Sequence, residues 1–332
     1  MHKKEKQNSW KLEKDNTQSL RGILALAVLS HHLYQKSGLF ERTIVAVYLQ
    51  AFGFLAVAEF FFLSGYGLTK SYKAQEKAYL NRFLQQRVLP YYSVMVLLVF
   101  VYGIEKIFLG IALDKKDVIL SCFFGGTIIS GGWYLQVQLV LYIMWFLVYR
   151  SFENWKLRRY IVLIGEIVFC LVMRGLGYST VWYESVLAFY LGIAWADNEN
   201  WIVKIINNKW RKASAIVLGL FIFNATFDQS RKSEIEIVAT SCKICAALIF
   251  VSILTIIAYN VSFQNKVTSF FGKISFEIYI VQFMFILLFR SGLVYIDEAI
   301  VYVAVVFVTT MLGAIAVESV VSTIFDRCRQ YK

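Results

Sequence analysis

Apolar and polar positions alternate on a long scale. Ten apolar runs, at about 20–35, 46–68, 88–109, 133–149, 160–174, 181–196, 213–225, 237–259, 268–289 and 299–325, are separated by short segments that carry most of the Lys and Arg. A helix needs about 17 to 25 apolar residues to cross the hydrocarbon of a bilayer. Inside lipid the backbone must satisfy its own hydrogen bonds, so each run predicts a helix. The expected fold is all-α, a polytopic helical membrane protein of about ten transmembrane helices, with the first and seventh weakest in hydropathy. No repeat and no shift in composition marks a second domain. The expected organisation is a tail at 1–19, one membrane domain at 20–326 and a tail at 327–332.

Composition narrows this further. Of 332 residues 58% are hydrophobic and one is proline, which excludes an ordinary soluble domain. A net charge of +12 raises the question of nucleic acid. The basic residues, however, follow the loops. With ten spans and a cytoplasmic N-terminus, 23 Lys and Arg fall inside and nine outside, and Arg21 and Lys243 fall within spans. That asymmetry is the positive-inside pattern and predicts both termini in the cytoplasm, in the plasma membrane, with membrane lipids rather than nucleic acid as surroundings. The first twenty residues are polar and lack the pattern of a typical signal peptide. The five cysteines are scattered and read as packing residues.

Candidate chemistry begins in the first run, RGILALAVLSHH, from Arg21 to His32. Eleven residues of helix turn about 1,100° and rise about 16 Å, so Arg21 and His32 share one stripe while His31 points about 100° away. Ionisable groups at this depth are costly, and a functional use competes with a simple interfacial placement. Glu59, in AEFFFLSGYGL, lies at a depth counted from Lys70 similar to that of His32 counted from residue 20, which predicts a His32–Glu59 pair in antiparallel helices. A carboxylate there would stabilise the imidazolium of a general base; a neutral, buried acid is the plainer alternative.

Three further segments carry polar groups against an apolar background. RVLPYY places Pro90 at the first turn of the third span, with Arg82 and Arg87 at the cytoplasmic face, either as anchors or as forked phosphate ligands. WYLQVQLVLY puts Trp133 at an interface and Gln138 inside the run. SFEIYIVQF sets Ser275, Tyr279 and Gln282 on one helical stripe, suited to packing between helices or to a substrate.

Taken in order, these segments resemble acyltransferase family 3, the integral membrane acyltransferases that O-acetylate cell-surface polysaccharides, lipopolysaccharide and peptidoglycan sugars. Arg21 to His32 is similar to that family's first-span Arg-x10-His, which selects His32 over His31. Glu59 and the following FFFLSG are similar to its acidic residue with FFxLSG. Arg87 to Tyr92, Trp133 to Tyr142 and Ser275 to Phe283 resemble three later segments. Gln138 stands where an acid is expected and Gln282 where many members have histidine. Neither amide exchanges a proton near neutral pH, so both positions bind or orient.

The resemblance implies an acetyl-CoA-dependent O-acyltransferase. Acetyl-CoA or a related acyl-CoA is the co-substrate, with no bound cofactor and no metal. A surface glycan or lipid-linked sugar is the acceptor. His32 and Glu59 would be catalytic, and Arg21, Arg82, Arg87 and Tyr92 would bind acyl-CoA. Trp133, Gln138, Ser275, Tyr279 and Gln282 would orient the acceptor. A glycan transporter or flippase using His32 and Glu59 as a proton relay is the alternative; absence of inverted repeats counts against it. A non-catalytic interaction protein is a third reading, motivated by the two glutamines.

Overall fold

The computed structural model describes Leu12 and residues 14–330, and each of the ten apolar runs carries a helix. In chain order the helices are α1 (Lys14–Ser37), α2 (Ile44–Gln75), α3 (Lys77–Phe83), α4 (Leu89–Phe108), α5 (Lys115–Phe123), α6 (Trp133–Ser151), α7 (Trp155–Gly175), α8 (Leu187–Ile206), α9 (Lys209–Lys232), α10 (Glu236–Ala258), α11 (Lys266–Lys273), α12 (Ser275–Leu288) and α13 (Ala299–Gln330). A π-helical turn, Leu84–Val88, joins α3 to α4, and a 3-10 turn, Thr180–Trp182, precedes α8. No strand occurs among the described residues; Arg290 and Tyr295 form a lone antiparallel bridge. Much of the N-terminal tail, and the side chain of Cys328, lie outside the described residues.

Among the described residues four helical stretches are long and apolar enough to cross a membrane: Ile44–Gln75, Lys77–Phe108, Glu236–Ala258 and Ala299–Arg327. The pair α11 and α12, bent by 69°, makes a fifth if counted as one span. The protein is therefore a helical membrane protein, with four to five spans supported by length and composition rather than ten. Three of the other expected spans are helices diluted by polar groups that face inward: Gln136 and Gln138 on α6, Glu166 on α7 and Glu199 on α8 are all buried. Exposed Leu171 of α7 and Phe221 of α9, like Phe100 and Ile104 of α4 and Leu312 of α13, suit contact with lipid.

Pro90 sits in the first turn of α4, yet the helical path continues back through the π turn to Lys77. That differs from the expected helix start. The wider turn lets the chain pass the missing proline N–H without a break.

Two apolar clusters form the interior, one holding Phe61, Phe62, Trp145 and Phe189, the other Met95, Tyr102, Ile278 and Tyr302. Helix α1 is the seam between them. Leu20, Leu24 and Val28 join the first cluster and Ala25, Leu29 and Leu33 the second, two i, i+4 stripes of one helix. Close backbone approaches fix its neighbours. Gly22 of α1 lies against the backbone of Phe271 and Gly272, and Gly272 against the carbonyl of Gln18, so a side chain at either would force α1 and α11 apart. Gly65 and Gly192 do the same for α2 and α8, the most extensive helix pair in the molecule.

Candidate active site

Between the two clusters lies a cavity of about 990 Å³, walled by α1, α2, the π turn and α4, α6, the α11–α12 bend and α13. Helical periodicity builds each wall. From α1 come Lys14, Thr17, Gln18 and Arg21; from α2, Val57, Phe60, Ser64, Gly67 and Lys70; from α6, Tyr134, Gln138 and Tyr142, each set a single helical face. The bend at Ile274 turns Gly272, Lys273, Ser275 and Phe276 toward the same space, and Tyr279 follows one turn later. From Val57 to Lys70 the α2 wall rises about 20 Å.

Five cations line this cavity, Lys14, Arg21, Lys70, Arg87 and Lys273, and the described lining contains no Asp or Glu. Lys70 is held from outside the lining by Glu199 at 2.6 Å and Lys273 by Glu318 at 3.2 Å. Arg21 and Arg87 make no ion pair among the described residues, and Arg21 faces Arg87, Tyr134 and Tyr142. Like charges held close over a low-dielectric wall produce a strongly positive interior, which attracts an anion.

The inner end is aromatic. The Tyr134 ring stands 5.1 Å from Phe61 and 5.1 Å from Tyr279. The Tyr279 hydroxyl donates to the Gly131 carbonyl at 2.5 Å. Tyr134 donates to Gln138 Oε1 at 3.4 Å, and Gln138 Nε2 is buried without a partner.

Of the residues singled out in the sequence, Arg21, Arg87, Gln138, Ser275 and Tyr279 meet at this cavity. Arg82 is exposed and lies outside the lining. Tyr92 and Trp133 are half-buried in the apolar clusters, and their chain neighbours Tyr91 and Tyr134 face the cavity instead. One residue of helix is about 100° of rotation, enough to exchange cavity for packing. Gln282 is fully buried and donates to the Tyr279 carbonyl at 3.2 Å, with its own oxygen unpartnered.

His32 also lies outside the cavity lining. Its ring packs 4.4 Å from Phe283 and 4.9 Å from His31, and its Nδ1 is 3.3 Å from Gln35 Oε1. Glu59 is 1% exposed with neither oxygen hydrogen-bonded, so the expected His32–Glu59 hydrogen bond is not formed. Helix register is the reason. The His31 imidazole rests against Gly53, and Glu59 lies six residues farther along α2, about 9 Å toward the Lys70 end. Matching the two depths required α1 to begin near residue 20, whereas it begins at Lys14.

Sequence reasoning passed over Lys14, Lys70 and Lys273 as loop anchors, together with the hydroxyls of Tyr91, Tyr134 and Tyr142. The available signal was spacing: Tyr134, Gln138 and Tyr142 recur every four residues, and so share a helical face.

A family model described as an acyltransferase domain matches residues 18–318, which takes in the whole cavity lining except Leu12, Lys14, Thr17 and Phe325. No curated protein and no solved structure matches the chain.

Proposed function

This chain belongs to that acyltransferase family, and we propose that it is a membrane O-acetyltransferase that moves an acetyl group from cytoplasmic acetyl-CoA to a hydroxyl of a surface polysaccharide or other extracytoplasmic glycan. The observation that carries the reading is the cavity with five cations and no described carboxylate. Acyl-CoA brings several phosphate charges and a long, flexible arm. Arg21 and Arg87, lacking acidic partners, are free to make forked, charge-assisted hydrogen bonds to phosphate oxygens, with Lys14, Lys70 and Lys273 around them. The arm extends inward along the Val57 to Lys70 wall.

The orientation is part of the proposal. The cationic end of the cavity lies at Lys14 and Lys70, the side that the Lys and Arg distribution assigns to the cytoplasm, with both termini there and the protein in the plasma membrane. His32 lies beyond the aromatic end, reached through the sequence of contacts Tyr279 to Gly131, Gly131 to Phe283 and Phe283 to His32. In the reaction the sugar oxygen attacks the thioester carbonyl as His32 takes its proton. The C–S bond breaks, and the CoA thiolate leaves toward the cytoplasm. Tyr134 and Tyr279 must part for the thioester to meet that histidine. Glu59 enters this scheme as a buried acid of α2 and not as the partner of His32.

The test is transfer itself. Purified protein in lipid is given acetyl-CoA labelled in the acetyl group and surface glycan from a strain lacking the protein. Label appearing on glycan hydroxyls, with release of free CoA, is the expected result. Glycan movement across the bilayer with no acetyl-CoA turnover overturns it in favour of transport.

A further inference from the structure

Gln138 is a buried amide on the cavity wall, with its carbonyl end hydrogen-bonded and its amino end without a partner. It is 1% exposed and lines the cavity; Oε1 accepts from Tyr134, and Nε2 has no acceptor. A buried donor left unmade costs more than a made bond returns, so such a group in a cavity wall is best explained by a ligand acceptor. The surroundings specify its kind. Gln138 lies between Tyr134 and Tyr142 on one face of α6, and Arg21 faces both of those tyrosines. An acid at this position would be the one carboxylate of the described lining and would oppose an anion; the amide keeps the site's polarity and removes the charge.

We propose that Gln138 is a ligand-binding residue whose Nε2 donates a hydrogen bond, beside the Arg21 guanidinium, to an acceptor oxygen of the acyl-CoA. The inference rests on the donor reading above. The oxygen belongs to a phosphate, to an arm amide or to the thioester, and all three share the same acceptor chemistry.

Gln138→Met keeps the length and volume and deletes the donor. Affinities of the full chain, purified in lipid, are measured for adenosine 3′,5′-bisphosphate, CoA and acetyl-CoA, with ligand-free thermal stability alongside. The variant is expected to bind acetyl-CoA about five- to tenfold more weakly, the effect of one hydrogen bond, with ligand-free stability kept or raised. The smallest ligand that loses affinity identifies the oxygen as phosphate, arm or thioester. Three unchanged affinities overturn the proposal. So does a parallel loss of ligand-free stability, which assigns Gln138 to packing. Wild-type protein that binds none of the three overturns the donor reading itself.

Discussion

The imidazole of His31 occupies the space that a side chain at Gly53 would need, and its Nδ1 stands 2.9 Å from the Leu49 carbonyl one turn earlier on α2. This contact locks the register of the first two helices. It sets Arg21 against the cavity and His32 one residue beyond the lock, on the side away from Glu59. Gly53→Ala should therefore cost about 1 to 3 kcal/mol by overpacking. In a His31→Ala background the same change should cost less, with a coupling of about 0.5 to 3 kcal/mol. Unfolding midpoints of the four proteins in detergent measure it; strict additivity would separate the two residues.

Arg21→Ala and Arg87→Ala should each raise KM for acetyl-CoA about 10- to 100-fold, the loss of hydrogen bonds to a charged group, with a smaller change in kcat. Arg82→Ala should stay within about twofold, because that side chain is exposed and does not line the cavity. Initial rates against acetyl-CoA concentration distinguish the three. A large effect at Arg82 would move the donor site to the outer face of α3.

Two buried glutamates should behave in opposite ways. Glu199 accepts from Tyr66 at 2.5 Å and Tyr259 at 2.7 Å and pairs with Lys70 at 2.6 Å, tying α2, α8 and α10 together. Glu199→Ala strands two hydroxyls and a partly exposed cation and should cost about 2 to 4 kcal/mol. Glu59 has no partner to lose, so Glu59→Gln should cost under about 0.5 kcal/mol. Thermal unfolding with matched lipid and salt reads both. A loss of acetyl transfer in Glu59→Gln with stability intact would mark that acid as used in turnover.

The helices were legible from the apolar runs, and several of the segments that line the cavity were legible from their motifs. The rotational phase of each helix was not. Tyr91 rather than Tyr92, and Tyr134 rather than Trp133, face the cavity, because neighbours on a helix point about 100° apart and only packing decides which one turns inward. Charge was misassigned for a different reason. Lys14, Lys70 and Lys273 sit at helix ends where topology alone accounts for a lysine, and sequence holds no sign that the three ends converge. The His32–Glu59 pairing failed on helix length: α1 starts at Lys14, about 9 Å before the assumed start near residue 20, and the His31–Gly53 contact sets His32 away from Glu59.

The two adjacent histidines give the sharpest functional contrast. His31 is buried at 8% exposure and seated on α2, so His31→Ala should act on stability through the lost contact with Gly53 and the Leu49 carbonyl. His32 is less buried, and its ring touches Phe283 of α12 and the Gln35 side chain, neither of which lines the cavity. Removing it should leave acetyl-CoA affinity unchanged, since no wall of the cavity is altered. If it is the general base proposed above, its loss should lower kcat by about 100- to 10,000-fold. The measurement is acetyl transfer and acetyl-CoA binding on the same preparations of His31→Ala and His32→Ala at matched membrane abundance. Full transfer by His32→Ala would remove that residue from the chemistry. Loss of donor binding in the same variant would instead mean that the cavity extends past Tyr134 and Tyr279 when acetyl-CoA is bound.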